Sequence, residues 1–147
     1  MAKDNKKEFI SAVGRRRESI ARVRLYEQVK ELQVAGEAVK KGDIFINAKK
    51  ASEYFRDKIS QLMYEEPLKI TNNTEKYAFT IKVIGGGRKG QLDALIHGMA
   101  RALSKIDDKN RKILKKKGFL TRDPRTRQRR NVGMGGKSRR KKQSPKR

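Results

Sequence analysis

Between Ala21 and Tyr26, apolar Ala21, Val23 and Leu25 alternate with Arg22, Arg24 and Tyr26. A period of two is that of a half-buried strand, and it predicts one within residues 9–26. A charged stretch around Gly36 and Gly42 follows, and Ile44, Phe45 and Ile46 predict a short second strand. Residues 51–64 predict a helix with Phe55, Ile59, Leu62 and Met63 on one side, ended by Pro67. Residues 77–84 give the clearest strand, with Tyr77, Phe79, Ile81 and Val83 on one face and Thr80 and Lys82 on the other. Three glycines follow directly.

The clearest helix spans about residues 89–106, where Leu92, Leu95, Ile96, Met99, Leu103 and Ile106 form one apolar stripe. A shorter helix starts after Asp107 or Asp108, either of which suits an N-cap, and ends at Gly118 as its C′ residue. Phe119 and Leu120 then hold the chain to the core. The predicted order is two strands, a helix, a strand and two helices, an α+β class with no internal repeat. The predicted core comprises Val23, Leu25, Ile44, Ile46, Phe55, Ile59, Leu62, Phe79, Ile81, Val83, Leu92, Leu95, Ile96, Met99 and Leu103.

Charge changes this picture at the C-terminal end. The 147 residues carry 40 basic and 16 acidic side chains, a formal net charge of +24. Residues 111–147 hold 17 basic residues against one acidic. Thr121 to Arg147 has 12 Lys or Arg, one Asp, no aromatic residue, and only Val132 and Met134 as bulky apolar groups. Such a segment cannot bury enough surface to offset its own ordering entropy. Residues 1–120 therefore read as a globular domain with a polar 1–11 extension, and residues 121–147 as an extended basic tail.

A tail of this composition calls for a polyanion. A membrane is disfavoured, since no long apolar run exists and the tail lacks the Trp, Phe or Leu of an interfacial helix. Met1 to Lys7 is polar, so no signal peptide is expected. The absence of cysteine excludes disulfides and Cys-ligated zinc. Without aromatics the tail has no base-stacking platform, and it has no recognition-helix periodicity. Arg122, Arg125, Arg127, Arg129, Arg130, Lys137, Arg139, Arg140, Lys141 and Lys142 are instead suited to threading among phosphates, with arginine forks binding oxygens two at a time. Fully extended, the tail would reach roughly 90 Å.

Two further motifs carry chemistry. Gly85, Gly87 and Gly90 match G-x-G-x-x-G between a strand and a helix, with Asp107 or Asp108 about 20 residues on. The dinucleotide context fails, because a Lys-rich helix follows where a parallel strand is needed. A P-loop fails too, since Gln91 stands where its lysine belongs. A phosphate site on Gly86, Gly87, Arg88 and Lys89 at the helix N-terminus remains, alongside a purely conformational role for the glycines.

Arg15-Arg16-Arg17 is the second motif, read at the start of a strand. Its bland role is a solvated edge that resists aggregation. Three adjacent arginines alternate faces, however, so at least one points toward the core side, which favours a nearby phosphate backbone. His97, the single histidine, lies beside Arg101 at i+4 and reads as a partly buried or RNA-facing residue. No catalytic constellation or cofactor site is found.

In order along the chain, GRRRESIARVRL (14–25), EYF (53–55), EPL (66–68), IGGGRKGQLDALIHGMARAL (84–103), GFLTRDPRTRQRR (118–130) and the closing Lys146-Arg147 resemble the family of small-subunit ribosomal protein S-nine, of the bacterial type. The resemblance implies an RNA-binding fold like the second domain of ribosomal protein S-five, with a left-handed β-α-β crossover and a long extended basic tail. It implies a non-enzymatic place in the head of the small subunit, on the cytoplasmic ribosome, against the 3′ major domain of the rRNA and beside neighbouring head proteins. Arg15, Arg16, Arg88, Lys89, Arg122 and Arg125 fall in the motifs that touch rRNA. Lys146 and Arg147 match the terminal pair that approaches P-site tRNA.

The chain departs from the family pattern at Pro145, which stands in a serine place with no aromatic nearby. It also departs at Gly133-Met134-Gly135-Gly136, which replaces a more basic stretch, and in the longer 27–43 segment. Two rivals stand beside this reading: a general nucleic-acid chaperone using the same tail, and a nucleotide-binding enzyme using Gly85 to Gly90.

Overall fold

The computed structural model describes residues 9–29 and 32–129. Its strands are β1 (Ile10–Arg16), β2 (Ser19–Tyr26), β3 (Gln33–Val34), β4 (Glu37–Ala38), β5 (Ile44–Ile46), β6 (Lys49–Lys50) and β7 (Ala78–Ile84). Its helices are α1 (Ala51–Tyr54), α2 (Lys58–Ile70), α3 (Arg88–Leu103) and α4 (Asp108–Lys116). A mixed five-stranded sheet runs β1-β2-β7-β5-β6, and β3-β4 form a separate hairpin. β5 and β7 are parallel neighbours, joined through β6, α1 and α2, so the molecule contains a β-α-β unit. The other neighbours in the main sheet are antiparallel.

The predicted strand in residues 9–26 is two strands. β1 and β2 fold back on each other with Arg16 paired to Ser19. The turn between them puts Arg17 at φ 53°, in the left-handed region that non-glycine residues seldom occupy. Neither Gly nor Asn marks this turn, so the sequence carries no signal for it. Asn47 and Ala48 (φ 48° and 66°) make the tight turn between β5 and β6. The Asn47 side chain accepts from the Val83 N–H and donates to the Val83 carbonyl, both at 2.9 Å, extending the β5–β7 ladder by one side chain.

Side chains alternate across the sheet. Ala21, Val23 and Leu25 of β2 and Phe79, Ile81 and Val83 of β7 face the helices and are buried. α3 lies across β1 and β2 and supplies Leu92, Leu95, Ile96, Met99 and Leu103 to the same core. Phe119 and Leu120 pack against it, partly buried. The opposite face has a small core of its own: Tyr26, Val39, Phe45 and Ala78, with Phe9, Val29, Leu32 and Val34 around it. Much of the charged 27–43 segment therefore folds back over one end of the sheet.

The helix expected over 51–64 is corrected on three points. It breaks after Tyr54, because Asp57 acts as the N-cap of α2 and accepts from the Ser60 amide at 2.9 Å. The new start rotates the buried face onto Tyr64, Pro67 and Leu68. Ile59 and Leu62, expected in the core, are 73% and 61% exposed. Pro67 also does not end the helix, which continues to Ile70. A proline this close to the last turn removes one backbone bond without requiring the chain to leave the helix at once.

Candidate nucleic-acid interface

The sheet and α3 bring the two sequence motifs together. Gly85 (φ 72°) and Gly86 (φ 62°) turn the chain from β7 into α3, and Gly87 is the N-cap. A Cβ on Gly85 would stand 2.4 Å from the Glu18 carbonyl oxygen. One on Gly86 or Gly90 would meet Ser19 Oγ at 2.0 or 2.9 Å. Ser19 Oγ donates to the Gly85 carbonyl at 3.2 Å, and Gln91 Nε2 donates to the same oxygen at 3.0 Å.

Three of the four glycines therefore serve the close approach of the β1–β2 turn, which is the conformational role. Gly87 differs, since a Cβ there would meet nothing. It stands exposed beside exposed Arg88 and Lys89, with no side-chain cap on the helix. Arg88 also lies 3.8 Å from Asp57, an exposed and weak pair.

The arginine triplet closes β1 rather than opening a strand. Arg15 points to solvent on the sheet face away from the helices, and Arg17 is exposed in the turn. Arg16 turns inward, as three successive arginines require, but protein carboxylates meet it. Its Nε lies 3.6 Å from Asp93 and its Nη1 3.0 Å from Asp123. The second contact lacks hydrogen-bond alignment, so it acts by charge.

Asp123 in turn accepts from Arg125, through the backbone amide at 3.0 Å and the guanidinium at 2.6 to 3.1 Å. Those hydrogen bonds, then the charges of Arg125 and Arg16, hold the Asp123 carboxyl well below the usual carboxylate range. A short relay, Arg16–Asp123–Arg125, thus fixes where the chain leaves the domain, next to the β1–β2 turn.

α3 guards the free edge of β1. Arg101 Nη1 donates to the Val13 carbonyl at 2.5 Å and Lys105 Nζ to the Ser11 carbonyl at 2.6 Å. Both would otherwise be open edge acceptors. His97 on the same helix is half-buried with Nδ1 enclosed and unpartnered. Burial, and then the charges of Arg101 and Arg122, push its pKa below 6.5.

Of the predicted tail cations, Arg122, Arg125, Arg127 and Arg129 are exposed. Arg130, Lys137, Arg139, Arg140, Lys141, Lys142, Lys146 and Arg147 lie outside the described residues. Among the described residues no cluster of side chains could hold a metal, and no helix is long and apolar enough to cross a membrane.

Sequence reasoning passed over Arg22, Arg24 and Lys82. Their alternation with buried neighbours placed them on the outer sheet face, but only strand pairing shows that they stand side by side.

A family profile described as "Ribosomal protein S9/S16" matches residues 14–147. A protein named small ribosomal subunit protein uS9, from Maridesulfovibrio salexigens, is 40% identical over 130 residues, covering 88% of this chain and 91% of that protein.

Proposed function

The chain belongs to the ribosomal protein S9 family, and from that membership we propose how this structural constituent of the small ribosomal subunit works in translation. The domain anchors on the 3′ major domain of the rRNA in the subunit head, beside neighbouring head proteins, on the cytoplasmic ribosome. Residues 1–120 form that domain, with the fold of the second domain of ribosomal protein S-five and a left-handed crossover between β5 and β7. Residues 121–147 form an extended basic filament. Arg15, Arg17, Gly86, Gly87, Arg88 and Lys89 meet rRNA at one end of the sheet, and Arg16 and Arg101 reinforce it while holding the strands in place. The tail cations from Arg122 to Lys142 follow the RNA backbone, and Lys146 and Arg147 reach P-site tRNA.

The observation that carries this reading is the fixed exit of the tail. Asp123, the one acidic residue after Asp108, is spent on joining Arg16 to Arg125. The start of the tail is thereby tied beside the β1–β2 turn, and the sequence after Asp123 holds no acidic residue to compete with phosphate. Charge neutralisation with counterion release is the mechanism, and it makes binding steeply salt-dependent.

Two measurements test the proposal. The full-length chain should prefer a transcript of the 3′ major domain over an unrelated duplex at fixed salt, and equal affinity would indicate a general nucleic-acid binder. Deleting Lys146 and Arg147 should leave subunit assembly intact and speed P-site tRNA dissociation. An unchanged dissociation rate would remove the tRNA role.

A further inference from the structure

Among the described residues, the outer sheet face is covered at one end, by the small core around Tyr26, Phe45 and Ala78. The rest is set by strand register. Val13, Arg22 and Lys82 stand abreast in one row, Arg15, Ile20 and Ile84 in the next, and Ser11, Arg24 and Thr80 on the other side. All four cations are exposed, and these rows contain no carboxylate. Arg15, Arg22, Arg24 and Lys82 have no ion-pair partner among the described residues. Arg24 lies over the Phe9 ring at 4.9 Å, which holds its guanidinium on the face.

An antiparallel sheet with one polar face in water is ordinary. Direct cross-strand opposition of two like charges is not, because side chains abreast on neighbouring strands are only about 5 Å apart and repel. An anion between or above the Arg22–Lys82 pair would relieve that repulsion. All four cations are exposed and, among the described residues, nothing encloses them, so an extended polyanion suits the face better than a small enclosed anion.

We propose that this half of the sheet seats a run of RNA backbone that extends the contact at the β1–β2 turn through Arg15 and is separate from the run met by the tail. Arg22 and Lys82 meet two adjacent phosphates at its centre, with Arg15 and Arg24 on either side. This rests on the RNA-binding reading above and adds a surface to it.

The test uses the full-length chain and a transcript of the 3′ major domain of small-subunit rRNA, with affinity measured across a salt series. The double variant Arg22→Gln/Lys82→Gln should make the slope of log K against log salt shallower by roughly 1.5 to 2, as for two lost phosphate contacts. Its thermal midpoint should equal or exceed the parent's, because a like-charge repulsion is relieved. The control Arg56→Gln/Lys58→Gln removes the same charge on the helical side and should keep the parent slope.

The parent slope in the sheet variant would overturn the proposal, and so would an equal change in the control, which would mean bulk charge alone. An unchanged RNA slope with reduced incorporation into reconstituted subunits would assign the face to an acidic protein surface and also overturn it. A parent that binds an unrelated duplex equally well fails the functional reading instead. The difference in slope between variant and control decides the face in either case.

Discussion

Gly14 and Gly98 meet where α3 crosses β1, and the contact is between backbones. A Cβ on Gly14 would stand 1.9 Å from the Ala94 carbonyl oxygen and 2.4 Å from the Gly98 nitrogen. Neither atom can swing aside as a side-chain tip could, so Gly14→Ala should cost at least about 1–3 kcal/mol. A denaturant midpoint equal to the parent's would show that α3 sits further from the sheet. No local pattern reveals this pair, since the two glycines are far apart in sequence and their need arises only on packing. His97 gives a second test at this scale. Its folded pKa lies below 6.5 through burial and two cations, so below about that pH the unfolded chain takes up the proton first. Stability should therefore fall with acidification through the 6.5 region and level off once the folded imidazole protonates. His97→Gln should flatten that part of the profile, read as urea midpoint against pH, and an unchanged profile would place the titration elsewhere. The lone histidine was legible as a partly buried or RNA-facing helix residue, but not that the returning chain at Leu120 and Arg122 would lie against it.

Elements differ in how plainly the chain declares them, and α2 and α3 mark the extremes. α3 repeats its apolar stripe over about three turns, and that repetition fixes its inner face: Leu92, Leu95, Ile96, Met99 and Leu103 are all buried. α2 offers Ile59, Leu62, Met63, Tyr64 and Leu68 around most of its circumference, so periodicity alone cannot choose a face. Asp57 makes the choice by capping the helix there, and the exposed stripe is the one that a start at residue 51 would have buried. Two substitutions check this. Leu62→Ala, at a side chain 61% exposed, should change stability by no more than about 0.5 kcal/mol. Leu68→Ala, at 2% exposure, should cost about 2–5 kcal/mol. Equal effects in chemical denaturation would show that α2 is rotated about its axis. The β1–β2 turn and the hairpin of β3 and β4 escaped sequence reading for related reasons. Arg17 holds a left-handed backbone without glycine's freedom. Residues 27–43 look too charged for a core because only Val29, Leu32, Val34 and Val39 are needed to cover one end of the sheet.

At the scale of the whole molecule, charge separates what folds from what binds. Composition announced the basic tail, and the resemblance gave it a destination. Neither could show that its root is tied down, since Arg16 and Asp123 lie more than a hundred residues apart. The tie is a surface one: Arg125 is largely exposed, and solvent screening leaves such an ion pair little to add to stability. By contrast, Phe119 and Leu120 pack against the main core. The chain should therefore tolerate truncation on one side of residue 120 and resist it on the other. Removing residues 121–147 should leave a single cooperative thermal transition with a small drop in midpoint, whereas removing residues 118–147 should lower the midpoint clearly further. The same two proteins separate folding from binding. Loss of residues 121–147 takes away 12 of the 40 cations, so RNA affinity and its salt slope should both fall steeply while the transition survives. Loss of the cooperative transition in the longer truncation product would mean that the tail is part of the core. A salt slope unchanged in that protein would mean that the domain alone carries the RNA contacts.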